Sequence, residues 1–196
     1  MKRPLPRSFY CRDTKEVARD LLGKVLVHRT ADGITKGKIV ETEAYYGPDD
    51  PASHAYKGRT KRARIMWGKP GIAYVYFTYG MHYLLNVVTE EEGKAGAVLI
   101  RALEPQEGID LMKKRRGLSG VNTLTNGPAR LTQALDITTR ENGIDLTRGD
   151  LRIEEGKDEE FEIISAQRIG IKAGKEAKLR FYIKGNKFIS KLSRAE

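Results

Sequence analysis

A chain of 196 residues with 39% apolar residues fits one core and needs no covalent staple to fold. Its 36 lysines and arginines against 26 acids leave a formal charge of +10 and a pI near 9.6, which points to an anionic partner, either nucleic acid or an anionic membrane surface. The single cysteine, Cys11, excludes an intramolecular disulfide and a thiolate zinc cluster, and His28, His54 and His82 lack paired ligand spacing, so no metal is expected.

Met1 to Pro6 holds no apolar leader, and no stretch approaches the roughly 18 apolar residues of a spanning helix. A soluble protein of a reducing compartment is expected, cytoplasmic in a prokaryote and nuclear in a eukaryote. Asp13-Thr14-Lys15-Glu16 predicts a capping box opening a helix whose apolar stripe is Val17, Ala18, Leu21 and Leu22, with Gly23 as its stop. Val25–His28 predicts a strand, Ala31-Asp32-Gly33 a turn, and Gly37–Tyr45 the antiparallel partner. From Tyr46 to Lys69 the chain is punctuated by Gly47-Pro48 and Asp50-Pro51, and a loop of that length is usually functional. Ile72–Val88 predicts a hairpin turning at Tyr79-Gly80-Met81. Ala97–Ala102 predicts a short buried strand, Pro105–Arg116 a helix with a basic end, and Gly127-Pro128 the start of another. Late strands are expected at Leu151–Ile153, Phe161–Ile164, Leu179–Lys184 and Phe188–Ser190. Without a regular βαβ alternation the class is α+β.

Three stretches carry chemistry. Strand alternation places Glu41, Glu43 and Tyr45 on one face, with the two carboxylates roughly 7 Å apart. That spacing suits paired-carboxylate hydrolysis, and Tyr45 would stack a planar substrate; the plainer reading is a solvated sheet face. In the hairpin, Tyr74, Tyr76 and Thr78 share a face, either as amphipathic core rings or as a binding surface, while Tyr79 at the tip is a candidate wedge into a base stack. The run Lys57-Gly58-Arg59-Thr60-Lys61-Arg62-Ala63-Arg64 has five cations and no acid, and is either a solvated face or a grip on phosphates.

Together these residues resemble the alkyladenine (3-methyladenine) DNA glycosylases. The likeness runs from Leu21-Leu22-Gly23-Lys24 through Glu41-Thr42-Glu43-Ala44-Tyr45-Tyr46-Gly47-Pro48, His54, Met66, Lys69-Pro70-Gly71, Tyr74-Val75-Tyr76, Tyr79-Gly80-Met81 and Asn86. It continues in Arg101-Ala102-Leu103-Glu104-Pro105, Asn126-Gly127-Pro128, Arg168-Ile169-Gly170 and Leu179-Arg180-Phe181-Tyr182. Ala63 stands where bacterial members often carry Asn, and Trp67 replaces a usual Phe.

The resemblance implies that Glu43 is a general base activating a water held by Arg101 and the carbonyl of Ile169. It implies that Tyr45, Tyr76 and His54 form a slot for a flipped base, with the His54 backbone at the base edge and Asn86 excluding the 2-amino group of guanine. Tyr79 is implied as the intercalating wedge, and Met81, Arg59, Thr60, Lys61, Arg62, Arg64, Met66 and Arg130 as further DNA contacts. The implied protein is one domain over residues 1–196, with a mixed, largely antiparallel curved sheet, flanking helices and a protruding hairpin. It would be a monofunctional glycosylase acting as a monomer on damaged purines in duplex DNA, with no cofactor, membrane or obligate protein partner. The alternatives are a non-catalytic nucleic-acid-binding module and a bifunctional glycosylase/lyase.

Overall fold

In the computed structural model, which describes residues 2–190, one long strand organises the rest. The elements in chain order are α1 (Arg7–Tyr10), α2 (Thr14–Asp20), β1 (Val25–Thr30), β2 (Gly33–Tyr45), β3 (Ala73–Thr78), β4 (His82–Val88), β5 (Ala97–Glu107), α3 (Ile109–Arg116), α4 (Pro128–Leu135), β6 (Leu151–Glu154), β7 (Ile163–Ala166) and β8 (Arg180–Ile183). Short 3-10 turns occupy His54–Lys57, Ala63–Trp67 and Thr139–Glu141.

The sheet runs β3-β4-β5-β2-β1-β6, and every pairing among the described strands is antiparallel. Strand β2 is the hub. Gly33–Lys38 pair with β1, Glu41–Glu43 pair with β8, and the opposite edge pairs with β5 along nearly its whole length. Register shifts around Glu41 let the strand bend as it passes from one neighbour to the other. Both glutamates therefore lie between two strands, and each is 0% exposed, which overturns the solvated-face reading.

Helix α2 opens on the N-cap half of the expected box: the Asp13 carboxylate accepts the N–H groups of Lys15 and Glu16. It buries Val17 and Ala18, and Leu21 and Leu22 pack just beyond its last turn. The Thr42 hydroxyl of β2 donates to the Ala18 carbonyl, tying helix to strand. Helix α4 starts with Pro128 at its first turn and packs on β4 and β5, with the Thr132 hydroxyl donating to the Tyr83 carbonyl.

Two expected elements are corrected. Pro105–Glu107 belong to β5, not to a helix. Pro105 faces Gly37 at a register irregularity, where a missing N–H is tolerated. Helix α3 begins only after Gly108 in the left-handed region, where a Cβ would meet the Ile34 carbonyl at 2.3 Å. Phe188–Ser190 form no strand, because Ser190 turns inward to bond Glu41.

Candidate active site

The sheet face carrying the β3–β4 hairpin, the loop after β2 and the start of α4 enclose a cavity of about 390 Å³. Its walls include Tyr45, His54, Met66, Tyr74, Tyr76, Tyr79, Asn86, Arg101, Pro128, Ala129 and Ile169. Strand alternation delivers Tyr74 and Tyr76 to the cavity, and Asn86 stands directly across from Tyr74. The Asn86 amide donates to the Tyr74 carbonyl at 3.1 Å.

His54 enters from the first 3-10 turn, which the Ser53 hydroxyl caps. Its Nδ1 lies 2.7 Å from the Tyr74 hydroxyl, and its ring stands edge-on to Tyr76 with centroids 4.7 Å apart. Burial, with a smaller effect of the Arg62 charge, lowers the imidazole below its ordinary value and favours the neutral ring at pH 7. Burial likewise pushes the Tyr76 hydroxyl up to about 12. The slot is therefore lined by uncharged aromatic rings.

Glu43 lies behind this wall. Its Oε2 accepts from the Tyr45 hydroxyl at 2.7 Å and from Arg101 Nη1 at 3.2 Å, and its Oε1 accepts from the Ile169 N–H at 2.7 Å. All three donors line the cavity. Burial, followed by the negative charge of Glu43, raises the Tyr45 hydroxyl well above its usual value, so it stays a donor.

The Tyr45 ring is backed by the Arg168 guanidinium, 4.7 Å from its centroid. Arg168 makes a bidentate pair with Asp50 at 2.6 and 2.7 Å and also donates to the Ala44 carbonyl. Burial alone would raise the Asp50 carboxyl. The bonds from Arg168 and from the Tyr46 and Ala52 N–H groups more than offset it, and the net shift is downward.

The hairpin tip projects outward, with Tyr79 86% and Met81 70% exposed. Tyr79 and Gly80 both have positive φ, 51° and 68°, as the tight turn closed by Met81 N–H to the Thr78 carbonyl requires. For a bulky side chain that is a strained conformation costing about 1–2 kcal/mol.

The basic loop flanks the cavity. Arg59 lies over the Trp67 ring at 5.4 Å and Arg62 over the Tyr76 ring at 5.8 Å. Arg59, Lys61, Arg62 and Arg64 are exposed and form no ion pair with a carboxylate among the described residues. The Thr60 hydroxyl accepts the Ala63 N–H at 3.2 Å, just before the second 3-10 turn. Met66 is 1% exposed and faces the cavity from within the core. Arg130 is exposed beside Ala129 and donates to Asn126 at 2.7 Å.

The structure thus brings Glu43, Arg101, Ile169, Tyr45, Tyr76, His54 and Asn86 to one site, with Tyr79 at its mouth. Sequence reasoning missed the Asp50–Arg168 support, the carboxylate-binding N–H of Ile169 and the part of Tyr74 in orienting His54. Asp50 and Arg168 are 118 residues apart, and no local pattern links them.

Comparison with known proteins identifies the family. The family model described as methylpurine-DNA glycosylase matches residues 8–187. A protein of Carboxydothermus hydrogenoformans named "Putative 3-methyladenine DNA glycosylase" is 55% identical over 189 residues, covering 95% of this chain and 98% of that one. Proteins of the same name from Clostridium acetobutylicum and Methanoculleus marisnigri are 50% and 48% identical, covering 97% and 95% of this chain and 98% of each relative.

Proposed function

The chain belongs to the methylpurine-DNA glycosylase family, and on that premise we propose that it extrudes a damaged purine from duplex DNA and hydrolyses the N-glycosidic bond with a water activated by Glu43. The observation that carries this reading is the buried Glu43 carboxylate, held by three donors that all line an aromatic cavity.

Inside the stack the bond is out of reach, so the base must leave the helix. Extrusion costs a few kcal/mol, and less for a damaged pair. Stacking on aromatic rings returns about 1–3 kcal/mol per base. The neutral rings of Tyr45, Tyr76 and His54 also favour a cationic alkylpurine through cation–π attraction. As the bond stretches, positive charge grows on the sugar. An ionised Glu43 stabilises that charge and takes the proton of the attacking water, while Arg101 and the Ile169 backbone fix its orientation. Asn86 on the cavity wall crowds a 2-amino group.

No lysine borders the cavity among the described residues, which favours water over an amine nucleophile and hence a monofunctional enzyme. The reading places it in the cytoplasm as a monomer on DNA. It is tested by mass-spectrometric detection of free base from duplexes each carrying one lesion: 3-methyladenine, 7-methylguanine, hypoxanthine or ethenoadenine. Release of at least one of these with an intact strand supports the reading, whereas lesion binding without release from any of them returns the protein to the non-catalytic class.

Two further expectations arise here. Tyr79→Asn relieves the strain of a left-handed tyrosine, because Asn tolerates that conformation. Its melting temperature should equal or exceed that of the parent. Excision from a paired lesion should nevertheless fall about tenfold or more, and less from a mispaired one, since the lost ring acts on flipping. Equal losses in both duplexes would remove the wedge role.

Replacing Arg59 and Arg64 by Gln should weaken binding to damaged and undamaged duplexes alike. Each lost phosphate contact makes the slope of log K against log salt shallower by about 0.9. An unchanged slope in the double variant rules out phosphate contact by this pair.

A further inference from the structure

The mechanism above uses Glu43 and leaves its neighbour Glu41 without a task, although Glu41 is just as deeply buried. Glu41 Oε1 accepts from Arg180 Nη1 at 2.9 Å and lies 3.6 Å from Arg101 Nε. Its Oε2 accepts from the Ser190 N–H at 2.6 Å and from the Ser190 hydroxyl. The same Arg101 gives Nη1 to Glu43. Two buried carboxylates therefore share one guanidinium, and Arg180 supplies the second positive charge that leaves the group of four neutral.

We propose that Glu41 is a positioning residue that competes with Glu43 for Arg101, holding the guanidinium between them so that Glu43 keeps enough basicity to take a proton from water. This rests on the general-base reading of Glu43. Unshared, Arg101 would settle on Glu43 and make it a weaker base, since an opposite charge at 4–6 Å favours the ionised carboxylate. Arg101 Nε donates to the Ser190 hydroxyl at 3.4 Å and lies 3.6 Å from Glu41 Oε1, so the attraction is divided, and the Nη side of Arg101 is directed at Glu43 and the cavity. The arrangement explains why a strand, in which Glu is disfavoured, carries two of them on either side of a single Thr.

The charged and titratable groups facing the pair are Arg101 from β5, Arg180 from β8, Arg168 from the segment preceding β8, Tyr45 from β2 and Tyr76 from β3. Asp50 stands beyond Arg168, which already binds it. His54, which lines the slot, is unchanged in every variant below, so it is the difference between their acid limbs that reports on the Glu41–Glu43 group.

The test is single-turnover excision of 7-methylguanine, a cationic base that needs no protonation to leave, measured against pH. Glu41→Gln removes a negative charge from the group, so ionised Glu43 is favoured. Its acid limb should move to lower pH by about one unit, and its plateau rate should fall several-fold, by no more than about tenfold. Arg180→Gln removes a positive charge and should move the limb the opposite way, to higher pH.

Limb shifts of opposite sign are the signature, because loss of packing alone slows the reaction without producing them. Limbs that stay fixed in both variants, or move the same way, overturn the proposal. Should Glu41→Gln fail to fold, the sign of the Arg180→Gln shift decides alone. Glu43→Gln is run alongside: if that variant still excises, the general-base reading has failed; if it is dead and the limbs do not move, only the role of Glu41 has.

Discussion

Glu43→Gln is expected to reduce single-turnover base excision by about 10³-fold or more while lesion binding stays within a few-fold of the parent. General-base catalysis typically contributes 10²–10⁴ in rate, and an oriented charge facing a developing cation adds to it, so about 10³ is a conservative expectation. The substitution keeps the shape of the side chain. The amide oxygen retains the Tyr45 hydroxyl and Arg101 Nη1, while the new NH2 group replaces Oε1 and meets the Ile169 N–H, a second donor. One buried hydrogen bond is lost, at about 1–3 kcal/mol. A melting curve separates this modest destabilisation from the catalytic loss. Excision within tenfold of the parent would remove Glu43 from the chemistry.

The second large effect concerns stability. Asp50→Ala strips the partner from Arg168, whose side chain is only 1% exposed. Breaking one side of a buried ion pair costs about 3–5 kcal/mol, because the remaining charge stays desolvated. For a chain of this size each kcal/mol lowers Tm by about 2–4 °C, so a fall of roughly 6–20 °C is expected. The damage should reach the site, since Arg168 backs the Tyr45 ring and Tyr45 donates to Glu43. The sign of the pH dependence follows from the direction of the shift. The Asp50 carboxyl is held below its ordinary value, so its contribution is complete above that value and is lost as pH falls through the lower, folded one. The parent should therefore lose its advantage over Asp50→Ala on acidification below about pH 4. A Tm within 2 °C of the parent at neutral pH would show that the pair does not hold this wall.

What could be read from the sequence depended on range. Glu43, Tyr45, the tyrosine hairpin and the basic loop were legible because alternation and turn chemistry act over a few residues. The buried state of β2 was not: it depends on β8, which supplies the strand beside Glu41–Glu43 from about 140 residues away. The Pro105–Glu107 segment was misplaced because a proline followed by polar residues resembles a helix start, whereas the sheet accepts it at an irregularity opposite Gly37. The ties among Glu41, Arg180 and Ser190 span 139 and 149 positions and appear only when the chain has closed on itself. The bond from the Ile169 N–H to Glu43 depends on backbone direction, which side-chain identity does not reveal.

The most direct test of hydrolysis at this site is a single-turnover reaction of the parent protein with a duplex carrying one 7-methylguanine, quenched with and without borohydride. The account predicts free 7-methylguanine, a strand that breaks only on later alkali treatment, and no protein–DNA adduct in the borohydride arm. Retention of the base here and in duplexes carrying 3-methyladenine, hypoxanthine or ethenoadenine, or an adduct trapped by borohydride, would contradict it.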